Sequence, residues 1–153
     1  MSERDSLEDA AFLVSQSEQD RTLLAIHRVE SALAKASGSE QWMQNVTEEL
    51  ESLEDALRAE EEESSLPDAL LSLLTGTNPR RFGVRVHHLR DQLSDLIRQV
   101  AALRQELDTD GPEEVDSGDL RHRIGWVLRA LHHYRARLTD LVYEAIERDL
   151  GER

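Results

Sequence analysis

The stretch Leu120–Leu150 constrains the fold of this chain more than any other. It reads LRHRIGWVLRALHHYRARLTDLVYEAIERDL, about eight helical turns with one Gly and no Pro. Leu120, Ile124, Val127, Leu131, Tyr134, Leu138, Leu141 and Ala145 recur at steps of three or four. That spacing draws one apolar stripe along a long amphipathic helix. A stripe of this length needs apolar partners, and the rest of the chain supplies three.

The first partner helix is expected over about 17–37, with Ser17 and Asp20 as a capping pair and Gly38 as its stop. Its stripe is Leu23, Ile26, Val29, Leu33 and Ala36. The second, over about 41–63, carries Met43, Val46, Leu50, Leu53 and Leu57, then enters the acid run Glu60–Glu63. The third, over about 79–107, opens at Asn78-Pro79 and carries Val86, Leu89, Leu93, Leu96, Val100, Leu103 and Leu107, close to a heptad. The fourth spans about 117–149, capped by Asp116 or Ser117. A short extra helix is expected over Pro67–Leu74, closed by Gly76, and residues 1–15 form an N-terminal extension. The loop 108–118 is polar, with Gly and Pro. No segment alternates as a strand does, and only two Phe, two Tyr and two Trp are present, so Leu, Val, Ile and Ala must build the core. The expected fold is all-α: one domain over residues 1–153, an up-down-up-down four-helix bundle.

Charge and composition narrow the partners. A formal charge of −14 disfavours nucleic acid and anionic membranes. The absence of cysteine fits a reducing cytoplasm and removes thiolate ligands and nucleophiles. The N-terminus MSERDSLEDA lacks the basic and apolar parts of a secretory signal. No Gly-rich phosphate loop, His-Glu-x-x-His motif or nucleophile motif is present, so no enzymatic activity is expected. Trp42, Trp126, Phe82 and Phe12 lie off the central stripes; they either cap the ends of the core or mark an interface.

Four fragments, in this order and spacing, resemble the hemerythrin-like family: LLAIHRVESAL at 23–33, EEESSLPDAL at 61–70, VHHLRDQLSDLIRQVAAL at 86–103 and DLVYEAIERDLG at 140–151. The resemblance covers about residues 17–151. It implies a four-helix fold with a di-iron centre between the helices, held by inward imidazoles and carboxylates. On one helix a His-x-x-x-Glu spacing places both ligands on one face.

The apolar pattern sets which residues stand at those inward positions. They are Ile26, Leu57, Glu61, Leu93, Tyr134 and Leu138, of which only Glu61 is a metal-ligand type. The reading that follows is a metal-free relative with no cofactor, acting through an unidentified protein or small ligand, as a monomer or homodimer. Glu61 is then expected to face inward and approach Tyr134. A second register keeps histidines and would bind metal through His27, Glu62, His88 and His133. It implies a di-iron protein sensing or carrying oxygen, nitric oxide or iron. That register places Arg58 and Arg137 where a His and a Glu would be needed. The adjacent pairs His87-His88 and His132-His133 cannot both point inward, because helical neighbours are about 100° apart.

Overall fold

The apolar steps of three and four become helices along the whole described chain. A computed structural model describes residues 21–35, 39–62, 79–109 and 116–151. Helix α1 covers 21–34, α2 Glu40–Glu62, α3 Pro79–Thr109 and α4 Ser117–Gly151. No strand occurs among the described residues. The extension 1–15, the capping pair at 17 and 20, Ala36, Gly38 and the expected short helix 67–74 lie outside them, as does Phe12.

Two helix starts are fixed by side chains. Ser39 Oγ accepts the backbone N–H of Trp42 at 3.0 Å, so Ser39 is the N-cap of α2. Asp116 Oδ1 accepts the N–H groups of Gly118 at 2.9 Å and Asp119 at 3.2 Å, which assigns the α4 cap to Asp116 and not Ser117. At about 1.5 Å per residue, α3 and α4 run about 46 and 52 Å, against about 34 Å for α2.

The stripes meet in one core. Every stripe residue of α2 and α3 named above is buried, and so is α4 from Leu120 to Leu141. On α1, Ile26, Val29 and Leu33 are buried while Leu23 is half-buried. Each fully buried Leu, Ile or Val contributes about 1.5–3 kcal/mol of transfer free energy. This apolar stripe, more than local propensity, holds the helices.

Polar pairs fix how the helices lie against each other. Between α2 and α3, Arg104 Nε meets Glu54 Oε2 at 2.5 Å and Ser94 donates to Glu61 Oε2 at 2.7 Å. Between α3 and α4, Arg123 grips Glu106 through both nitrogens at 2.9 and 2.7 Å. Arg137 donates to Gln92 at 3.2 Å, and Arg85 meets Glu144 at 2.5 Å. Between α1 and α4, Arg121 donates to the Lys35 carbonyl at 2.9 Å and His132 pairs with Glu30 at 2.8 Å. In each set, as numbers rise on one helix they fall on its neighbour.

Trp42 is 3% exposed and sits under the Arg121 guanidinium, 5.7 Å from the ring centroid. Trp126 is 63% exposed, on α4. One caps the core and the other faces solvent. No described helix is long and apolar enough to cross a membrane.

Candidate functional site

Five of the six inward positions lie deep in the bundle. Ile26, Leu57 and Tyr134 are 0% exposed, and Leu93 and Leu138 are 1% exposed. They come from all four helices because each lies on its helix's apolar stripe. The tyrosine is among the largest fully buried side chains. Its ring fills interior volume at the position where the resemblance would place an imidazole.

The sixth position does not. Glu61 is exposed, and its carboxylate accepts the Ser94 hydroxyl at 2.7 Å. The expectation that it faces inward toward Tyr134 is therefore corrected by one residue: Glu60, 2% exposed, turns into the bundle instead. The physical reason is register. The α2 stripe runs 43, 46, 50, 53, 57, alternating steps of three and four. Continuing that alternation adds three to 57 and reaches Glu60. Adding four leads out of the stripe.

Glu60 is an unusual residue to bury. Loss of water raises its carboxyl from 4.5 to about 7, and the charge of Arg135 on α4 opposes that rise. Neither carboxyl oxygen has a hydrogen-bond partner among the described residues. Raised carboxyl pKa values are how acid–base sites are often found. General acid–base work also requires reach to a substrate. Glu60 does not line the cavities of about 360, 310, 440 and 300 Å³ on the bundle surface.

Glu54, six residues earlier on α2, is the second buried acid among the described residues. Its burial pushes the pKa up, but hydrogen bonds and charge from Arg104 and Arg58 outweigh that and hold it below 4.5. Arg58 donates to Glu54 Oε1 through Nε at 3.1 Å and Nη2 at 3.0 Å. Arg58 thus serves a buried carboxylate along its own helix and has no part in a cation site. Sequence reading missed Glu54 because it lies beside Leu53 at the edge of the stripe.

The histidines all face outward. His27, His87, His88, His122, His132 and His133 are exposed. Glu62 of the second register is also exposed. His27 lies on the α1–α4 seam, its ring centroid 6.4 Å from that of His132, with Glu30 bonded to His132. His88 lines a separate groove of about 360 Å³ between α3 and α4, with Arg85 and Arg137. His87 pairs with Asp91 on its own helix at 3.3 Å.

A di-iron centre needs several imidazole and carboxylate donors aimed at one interior point. The side chains at the five buried family positions are aliphatic, with one phenol, and Glu60 adds a single carboxylate, a set that does not fit that group. Among the described residues, no set of three or more His, Asp or Glu is placed to hold a metal ion. No family model matches the chain, and no curated protein or solved structure matches it either.

Proposed function

We propose that the chain is a hemerythrin-like bundle in which apolar side chains occupy the metal-ligand positions. Its role is binding a protein partner or small ligand, with no catalysis of its own. The observation that carries this reading is the burial of Ile26, Leu57, Leu93, Tyr134 and Leu138. Five inward positions hold no metal ligand of the family's type, while every histidine in the chain faces solvent. The opposed residue order of the cross-helix pairs supports up-down-up-down connections. The order and spacing of the four resembling fragments support the family.

Elemental analysis of protein purified without a polyhistidine tag tests this, combined with an ultraviolet-visible spectrum. The expected result is far less than one iron, manganese or zinc per chain and no absorption beyond the aromatic bands. Stoichiometric iron would overturn the reading in favour of a di-iron sensor or carrier.

A further inference from the structure

Cations stand at every seventh position along α1 and at the residue just past its end: Arg21, Arg28 and Lys35. Seven residues fall 20° short of two full turns, so the three stand in one column. All three are exposed. In a chain of net charge −14, cations would be expected to find carboxylates. Yet among the described residues none of these three side chains has an ion pair or hydrogen bond, although Glu54, Glu106, Asp108 and Glu144 all hold arginines.

The wall opposite this column is acidic. Two open cavities run end to end along the α1–α2 seam, of about 440 and 300 Å³, and they share Leu24 and Arg28. On the α2 side they are lined by Glu48, Glu49 and Asp55. These acids also lack ion pairs among the described residues. Leu24, 54% exposed, stands at the middle of the trough.

We infer that this seam is a self-complementary interface and that its occupant is a second copy of the same chain. A two-fold axis running along the seam, parallel to both helices, sets α1 of one copy over α2 of the other at unchanged height. Arg21 then meets the Asp55 level and Arg28 the Glu49 level, each contact occurring twice as isologous symmetry requires. Leu24 meets its own copy at the axis. A foreign helix would need a basic flank and an acidic flank in this same order; a second copy has them already. The inference does not depend on the fate of the metal positions.

The interface is small. Helices about 10 Å apart, over about 21 Å of length, present less than the roughly 800 Å² per partner of a standard interface. The dimer is therefore weak and concentration-dependent. Near 0.15 M salt the Debye length is about 8 Å, so distant acids are screened while contact pairs survive.

Sedimentation at that salt over a wide concentration range tests this, with helical content checked by circular dichroism. The parent is expected to dimerise reversibly. Arg28→Glu and Glu49→Arg should each weaken the dimer about tenfold or more, because like charges then face each other. Mixing the two single variants should restore association, since each supplies the charge the other lacks. An independent arm uses Leu24→Cys, which becomes the only cysteine in the chain. On oxidation it should form a disulfide-linked dimer readily, and Val84→Cys on the α3–α4 side should not. A parent that stays monomeric overturns the inference, whether the seam then takes a foreign helix or nothing. So does a dimer that neither charge reversal weakens.

Discussion

Glu54 and Glu60 lie on the same helix and are buried to nearly the same extent, 6% and 2% exposed, yet they are held in opposite ways. At Glu54, two guanidiniums donate to the carboxylate and keep it ionised. At Glu60, one arginine acts through charge alone, and burial raises the group toward neutral pH. The difference follows from reach. Arg58 is four residues beyond Glu54 on its own helix, and Arg104 faces it across the α2–α3 seam. The residue four beyond Glu60 is Ser64, outside the described residues, and it carries no charge. A bundle can thus bury an acid either by supplying donors or by leaving it able to hold its proton.

The largest effect expected at the Glu60 end comes from Tyr134, the neighbour of Arg135 in sequence. Tyr134→Ala removes a fully buried ring from the level where the metal ligands of the resembling family would stand. It should cost about 3–5 kcal/mol in urea melts. A loss below 1 kcal/mol would mean that the ring does not fill the interior.

The next effect separates the two acids by pH. Glu60 binds its proton more tightly folded than unfolded, so its stabilising contribution is complete below 4.5 and is lost as pH rises through about 7. The gap corresponds to about 3 kcal/mol. Glu54 works the other way: its contribution is present above 4.5 and disappears as pH falls through its lowered folded value. Glu60→Gln should therefore raise stability at pH 8 by about 1–3 kcal/mol and leave it nearly unchanged at pH 5. Melts at the two pH values check this, and an equal effect at both would remove the burial argument.

Glu54→Ala should destabilise at pH 7 by about 1–3 kcal/mol. Arg58 and Arg104 are 52% and 25% exposed, so water recovers part of the loss. The cost should shrink in acid, where the parent's own carboxylate is protonated. The smallest effect is Glu61→Gln, within about 0.5 kcal/mol at any pH, because Glu61 sits at the surface beside Ser94. A large loss there would restore an inward role for Glu61.

These residues also show what sequence can convey. The stripes of α2, α3 and α4 were legible because burial on a helix repeats at 3.6, and Leu, Ile and Val mark it without ambiguity. The choice between Glu60 and Glu61 was harder, since both are acids and lie one step apart. Only the alternation of threes and fours from Met43 to Leu57 distinguishes them. The partners of Glu54 were not legible from the stripe, because Arg104 is fifty residues away and reaches it only once α2 and α3 lie side by side. The α1–α2 seam was hidden for a related reason. A column of cations is visible in one helix, but the α2 acids that share its trough without pairing to it appear only in three dimensions.

The account rests on the claim that this level of the bundle keeps a carboxyl but offers no metal site. Carbon-13 NMR titration of the Glu60 side-chain carboxyl, with and without added iron(II) or zinc(II), tests it most directly. The predicted midpoint is about 7, unmoved by metal. A bound cation would favour the ionised carboxylate and pull its pKa down. A midpoint at or below 4.5, or one that falls when metal is added, would contradict the account.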